Sequence, residues 1–368
     1  MKFEVDSKEL KGALAKVYPA VPPRTPMPVL ECFKLQVAGD ELTVTATDLE
    51  MALQTTLAIQ GQEGGGALVP ARLLNDLVST LTGSILLYME KEKLIVKAGS
   101  GGYRFGASKI DEYPEVNFDN QGVSLKLKAE DFTEGVNFSK ISISEEDMRP
   151  AMSGLLLQFD GGNLKLVATN GHMLSIYQLG DVEDMKADLI IPKGVSYILS
   201  KFISTDIIEL QPGANHLVIK SGNDLLHTRL IGEKYPAYES VIPKDQDKVL
   251  TVNREALLCT IKRMMAMGES KEMRAVIFNL SDNGLQVNFQ SELTGNTAVE
   301  TLECQSAIGG EGEPFKIKLN GQFLKTLLET FKSEDVYFEM AESNKAVIIR
   351  SEKKGVNLAL LMPVKLDA

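Results

Sequence analysis

Three histidines, a closely spaced pair of carboxylates and a glycine-rich run are the residues of this 368-residue chain that could do chemistry. His172, His216 and His227 do not stand at the spacings by which imidazoles share a metal, and no HExxH pair occurs. Gly99-Ser100-Gly101-Gly102 lies between two alternating stretches rather than ahead of a helix. It reads as a hairpin turn, not a phosphate cradle, and no GxxxxGK[ST] loop is present. Asp48-Leu49-Glu50 puts two carboxylates two residues apart, on one face if the segment is a strand. Such a pair more often marks a turn or a strand end than acid–base work. His172 follows Thr169 closely, but no nucleophile is indicated. Cys32, Cys259 and Cys304 are far apart and odd in number, so they read as buried reduced thiols and not as a disulfide framework. The chain is not expected to be an enzyme, and neither metal nor cofactor is expected.

Composition narrows the classes further. With 44% hydrophobic and 24% charged residues the chain is globular rather than disordered or fibrous. The net charge is −11, from 39 basic and 50 acidic residues, and there is no Trp. Nucleic-acid binding would therefore need a locally basic face. The opening Met1-Lys2-Phe3-Glu4-Val5-Asp6 has no apolar signal-peptide core. No stretch approaches the length of a membrane span. A cytoplasmic location is expected, with Asn137-Phe138-Ser139 and Asn279-Leu280-Ser281 as chance glycosylation matches.

The elements that must position any site come from an internal repeat. Val5-Asp6-Ser7-Lys8-Glu9-Leu10, Leu127-Lys128-Ala129-Glu130-Asp131-Phe132 and Val252-Asn253-Arg254-Glu255-Ala256-Leu257 each end an alternating stretch and open a helical one. Ala46-Thr47-Asp48-Leu49 recurs as Ala168-Thr169-Asn170-Gly171, and Leu68-Val69-Pro70-Ala71 as Ile190-Ile191-Pro192-Lys193, both at an offset of 122. Leu94-Ile95-Val96-Lys97 recurs as Leu217-Val218-Ile219-Lys220. The third copy is looser, with Lys318-Leu319-Asn320-Gly321 in place of the proline-opened helix. Three homologous domains are expected over 1–122, 123–246 and 247–368.

Within one domain the pattern is strand, helix and three strands, twice over. Residues 2–5 alternate, Asp6 or Ser7 can cap the next helix, and Leu10, Leu14 and Val17 share one helical face. Strands follow at 33–37, 42–46 and about 51–59. Pro70 opens a second helix through Leu73, Leu74, Leu77 and Leu81, and strands follow at 85–89, 93–98 and 102–107. The fold class is α+β, with six half-units in the chain.

Charge divides along the same lines. Residues 7–17 carry Lys8, Lys11 and Lys16 against Glu9, and residues 254–267 carry Arg254, Lys262 and Arg263 against Glu255. Residues 130–140 are acidic, with Glu130, Asp131 and Glu134 against Lys140. Together the six helical stretches are net positive, and the strands and loops are more acidic than the whole. Helices gathered on one face would attract phosphate. Lysine also simply favours solvated helix faces.

Here the chain resembles a known family. Met1-Lys2-Phe3, Arg24-Thr25-Pro26-Met27-Pro28-Val29-Leu30, Ala46-Thr47-Asp48-Leu49-Glu50 and Arg149-Pro150-Ala151-Met152-Ser153-Gly154 are similar to segments of the bacterial DNA polymerase III β subunit, the sliding clamp. So are Ala168-Thr169-Asn170-Gly171-His172, Tyr235-Pro236-Ala237-Tyr238 and Met362-Pro363-Val364-Lys365-Leu366. The resemblance runs in order along the whole chain. It implies a head-to-tail homodimeric ring of clamp domains, with helices lining the hole and sheets outside. It implies a processivity factor that encircles duplex DNA without reading sequence and tethers the replicative polymerase, the clamp loader and other clamp-binding-motif proteins.

The resemblance also implies residue roles. Arg24 and Arg149 would face DNA. Met152, Thr169, Gly171, His172 and Leu174 would form one side of a partner-peptide pocket. Pro236, Val241, Ala346, Leu360, Met362, Pro363 and Val364 would complete it. Phe105 and Ala107 of one chain would meet Met264 and Met267 of the other at the dimer interface. Two departures are visible. Met173 stands where the family often has a basic residue, and the chain ends Lys365-Leu366-Asp367-Ala368 rather than on Arg-Leu. A protein-binding scaffold without DNA affinity is the competing reading, and it predicts no basic surface on the helices.

Overall fold

The computed structural model describes residues 1–118, 123–146, 148–180, 182–269, 274–281, 284–291, 293–307, 315–352 and 355–365. The expected joint near residue 122 and the terminal Leu366-Asp367-Ala368 lie outside the described residues.

The expected order of elements is present six times. The first domain opens with β1 (Lys2–Asp6), α1 (Ser7–Val17), β2 (Cys32–Ala38), β3 (Glu41–Thr47) and β4 (Met51–Ala58). Its second half is β5 (Gln60–Glu63) with β6 (Gly65–Pro70), α2 (Ala71–Thr80), β7 (Ser84–Glu90), β8 (Lys93–Ala98) and β9 (Gly101–Gly106). The second domain repeats this as β10 (Leu125–Lys128), α3 (Ala129–Ser139), β11 (Gly154–Asp160), β12 (Asn163–Thr169) and β13 (Met173–Leu179). It continues with β14 (Ala187–Pro192), α4 (Lys193–Phe202), β15 (Ile207–Pro212), β16 (His216–Ser221) and β17 (Asp224–Arg229). The third has β18 (Lys248–Asn253), α5 (Arg254–Ala266), β19 (Ala275–Ser281), β20 (Gly284–Gln290) and β21 (Thr297–Leu302). Last come β22 (Cys304–Ala307) with β23 (Phe315–Asn320), α6 (Gly321–Thr330), β24 (Asp335–Met340), β25 (Val347–Arg350) and β26 (Leu358–Leu361).

Helix starts follow from side-chain oxygens that satisfy free first-turn amides. Asp6 accepts from the Lys8 amide at 2.8 Å, Asn253 from Ala256 at 3.0 Å, and Asn320 from Gln322 and Phe323. Ser7 is the first helical residue of α1 rather than its cap, and its hydroxyl donates to the Leu81 carbonyl. Pro70 ends β6 instead of lying inside α2. The buried stripe of α2 is Ala71, Leu74 and Val78, while Leu73 points outward at 55% exposure. A helix on a sheet buries only one stripe, and Leu73 is on the far side of it.

One pairing rule builds every sheet. The leading strand of each half-unit joins the sheet of the other half-unit in its domain: β1 pairs with β7, β6 with β2, β10 with β15, β14 with β11, β18 with β24 and β23 with β19. The last strand of one domain's first half pairs with the last strand of the next domain's second half. This gives β4 with β17 and β13 with β26. The results are an eight-stranded sheet, β10-β15-β16-β17-β4-β3-β2-β6, and a nine-stranded sheet, β14-β11-β12-β13-β26-β25-β24-β18-β22. Two smaller sheets, β5-β1-β7-β8-β9 and β21-β20-β19-β23, end on β9 and β21.

The chain accordingly folds as two compact units, each mixing parts of two domains. One comprises 1–133 and 194–230, the other 134–193 and 231–368. The first has Phe3, Leu10, Leu14, Phe33, Leu35, Leu42 and Leu53 fully buried. In the second, Phe278 meets Phe338 edge-on, with ring centroids 5.8 Å apart, in a core that also holds Leu257, Ile261 and Leu327. The three cysteines are free and half-buried, and burial raises the Cys32 and Cys304 thiols above their usual range. They are less enclosed than the sequence suggested.

Candidate partner-peptide site

The expected pocket residues come together in the second unit around the β13–β26 joint. Leu174 stands opposite Leu360 in register, and continuing the β25–β26 ladder sets Ala346 opposite Met362. Leu174, Leu360 and Ala346 belong to one apolar cluster with Ile348, Tyr235 and Tyr238. They form a floor, since their exposures are 1%, 2% and 6%. Val241 at 54% and Met362 at 38% stand above it with Pro236 and His172 also exposed, so the apolar surface a ligand could reach belongs to these residues.

The rim is a tight turn. Thr169 Oγ1 donates to the Met173 carbonyl at 2.7 Å and accepts from the Gly171 amide. Asn170 Oδ1 accepts from the amides of His172 and Met173. Gly171 has φ of +85°, a conformation that favours glycine, and its bare Cα leaves Arg149 Nη1 and the Met152 methyl 3.9 Å from where a Cβ would be. The His172 carbonyl accepts from the Met362 amide at 2.8 Å, and the Val364 amide donates to Lys318 O, so both ends of the final segment are fixed by backbone bonds. Pro363 and Val364 are half-buried between those bonds.

One neighbour was not legible in the sequence. Phe323 of α6 stacks on His172, with centroids 6.3 Å apart and planes 23° inclined. Arg149, whose loop the resemblance associates with the pocket entrance as well as with DNA, is exposed and reaches Met152 Sδ at 4.0 Å. Below, burial raises the Tyr235 and Tyr238 hydroxyls well above the usual phenol range, although a backbone bond from Thr169 offsets part of the Tyr235 shift. Both stay neutral and hydrogen-bonding, Tyr238 donating to Gln158 at 2.6 Å. The site offers apolar contact and a few fixed polar groups.

The other expected residues are dispersed. Arg24 is exposed in the proline-rich loop after α1. Phe105 is half-buried on β9, and Ala107 follows it, donating its amide to Glu92 O. Met267 is 40% exposed at the end of α5. Met264 has no exposed surface and packs in the core below, so it supports that surface instead of presenting itself. Asp48 and Glu50 sit in a turn, as the sequence favoured, in which Asp48 Oδ1 accepts from the Glu50 and Met51 amides and Glu50 pairs with Arg229. Among the described residues no group of three metal-ligating side chains occurs, and no helix is long and apolar enough to cross a membrane.

Known proteins with this architecture share the whole chain. The N-terminal, central and C-terminal domains of the DNA polymerase III beta subunit match residues 1–117, 126–237 and 239–365. The beta sliding clamps of Vibrio cholerae and of Escherichia coli K12 are each 26% identical to it over 372 residues, covering all of both chains. The crystal structure of a Pseudomonas aeruginosa sliding clamp bound to griselimycin superposes with a TM-score of 0.93 at 25% identity, again over both full chains. A Bacillus subtilis clamp, 18% identical, shares the fold with a TM-score of 0.93 over both full chains. The chain belongs to the DNA polymerase III beta subunit family, the bacterial sliding clamps.

Proposed function

We propose that this chain closes a head-to-tail homodimeric ring around duplex DNA and tethers polymerase and other partners through the β13–β26 site. The pairing rule carries the reading. Within the chain, the last strand of a first half-unit meets the last strand of the next domain's second half-unit at β4–β17 and at β13–β26. Among the described residues the rule leaves β21 and β9 as the two last strands without such a partner. A second copy supplies both. Transferring the register of the internal joints sets Phe105 opposite Asn296 and Tyr103 opposite Ala298. The faces agree, since Phe105 and Ala298 are both half-buried and Arg104 and Thr297 both exposed.

Domain joints near residues 122 and 246 fit this reading, as does a cytoplasmic site of action beside the chromosome. A clamp is a processivity factor, not an enzyme, and it gains nothing from reading bases. Contacts limited to phosphates let it slide, and exposed Arg24 and Arg149 suit that role. The test is retention: protein loaded on nicked circular DNA stays bound through gel filtration and leaves once the circle is cut. Equal retention on linear DNA, or sequence-selective binding, overturns the reading. Arg24→Ala with Arg149→Ala lowers loading and flattens its salt dependence by roughly one log–log unit for each phosphate no longer neutralised.

A further inference from the structure

The turn that rims the pocket is built twice in this chain, 122 residues apart. In the first unit Thr47 Oγ1 donates to the Met51 carbonyl at 2.7 Å, as Thr169 does to Met173. It accepts from the Leu49 amide at 3.0 Å, as Thr169 does from Gly171 at 3.2 Å. Asp48 and Asn170 each accept from the two amides that follow. The Tyr113 hydroxyl accepts from the Thr47 amide at 3.0 Å, and the Tyr235 hydroxyl donates to the Val167 carbonyl of the matching strand at 3.5 Å. Even the joint bond is repeated: Arg229 N to Glu50 O at 2.9 Å matches Met362 N to His172 O at 2.8 Å.

The backbone of the turn is shared and its side chains differ, while the helical turn at Tyr238–Val241 has no counterpart among the described residues 114–118. Register places Ala52 opposite His227 where the pocket has Leu174 opposite Leu360, and His216 opposite Arg229 where it has Ala346 opposite Met362. His216 and His227 stack at 5.2 Å, with Phe118 edge-on to His227. Arg229 pairs with Glu50, the counterpart of His172, at 3.2 Å across the mouth. Gly171 is replaced by Leu49, which holds φ of +77° and stands 49% exposed where the open glycine would be.

We propose that the β4–β17 joint is a self-occluded copy of the partner-peptide pocket, and that Leu49, Glu50, His227 and Arg229 limit each chain to one partner peptide. This rests on reading the β13–β26 site as a peptide pocket. An apolar peptide side chain entering the copy must strip water from the Glu50–Arg229 pair and the imidazoles without replacing their hydrogen bonds. Leu49 fills the approach. Leaving a leucine in the left-handed region carries a conformational cost, which the fold bears at a place where a glycine would open the site.

The test is stoichiometry by calorimetry, using a synthetic peptide with a glutamine followed by spaced apolar residues. The unmodified dimer takes one peptide per chain. The variant combining Leu49→Gly, Glu50→His, His227→Leu and Arg229→Met takes two, and adding Val241→Asp and Met362→Asp to it leaves one. A milder variant, Leu49→Gly with Glu50→Ala, keeps every buried group. With it, a photo-crosslinking version of the peptide labels residues 47–52 at least tenfold more than in the unmodified protein. Two peptides per unmodified chain, or a natively folded four-site variant that still takes one, overturns the inference alone. So does a milder variant with unchanged labelling. An unmodified protein that takes no peptide overturns the pocket reading and this inference with it.

Discussion

Lys16 and Asp224 lie 208 residues apart in sequence and form an ion pair in which the carboxylate is almost wholly buried. The same carboxylate accepts from Thr55 at 2.6 Å and from Ser204 at 3.0 Å. The pair ties α1 to the start of β17, an interior strand of the eight-stranded sheet, beside the β4–β17 ladder. Removing one partner of a buried, hydrogen-bonded pair strands the others. Because the Lys16 side chain is 32% exposed, the loss is at the lower end of the range for such pairs. Asp224→Ala is expected to lower unfolding stability by about 2–3 kcal/mol, read as a fall in the urea midpoint at unchanged slope.

Val241 and Met362 present their side chains to solvent while the residues beneath them are buried. Val241→Asp and Met362→Asp should therefore leave the thermal midpoint nearly unchanged. Each removes an apolar contact worth about 1.5–3 kcal/mol, so peptide affinity should fall roughly 10- to 100-fold per substitution. Calorimetry with the peptide and a melt of each variant separate the two effects. A variant that binds as tightly as the parent would place the pocket elsewhere.

In the proposed ring, Tyr103 of one copy faces Ala298 of the other. Cysteines placed at both positions should form an intermolecular disulfide under mild oxidation, seen as a doubled mass on a non-reducing gel. Tyr103→Cys with Thr301→Cys should not, because the register separates them. Phe105→Glu with Met267→Glu should give monomers by light scattering, since it would bury unpaired charge at the seam.

Burial, and then the neighbouring His216, push the His227 imidazole below its ordinary value. Such a group takes its proton more readily in the unfolded chain. The stability it supports is complete above the unfolded pKa near 6.5 and falls as pH drops through the lower folded value. Acidification from pH 7.5 to 5.5 should lower the melting temperature of the parent more than that of His227→Gln. Equal slopes would mean that His227 does not titrate between the two states.

Much of this architecture was legible because repetition is visible without structure. The near-constant offset between Thr47 and Thr169 and between Pro70 and Pro192 exposed the domains, and apolar alternation located most strands of the first domain. Local periodicity says nothing about which strands pair across a domain boundary, so the joints that fuse the two large sheets were not readable. The pocket residues were named from resemblance. Their division into a buried floor at Leu174 and Leu360 and an exposed rim at Val241 and Met362 depends on packing from both sides of the sheet. Met264 shows the same limit: an apolar residue near a helix end looks alike in sequence whether it faces a core or a partner. Phe323 reached the rim only because α6 carries it beside His172.

The pairing rule has a kinetic consequence. Three kinds of joint in the proposed assembly use the same strand-to-strand chemistry, but two of them connect segments of one covalent chain. A tether of that length holds its ends together at an effective concentration on the order of millimolar, so those joints re-form as fast as they break. The β9–β21 joint has no tether. Its lifetime depends on its own contacts alone, while a ring opened at one seam is still held by the other. Substitutions on β9 or β21 can therefore tune how often the ring opens without loosening any domain, and evolution could change the dwell time on DNA through two short strands.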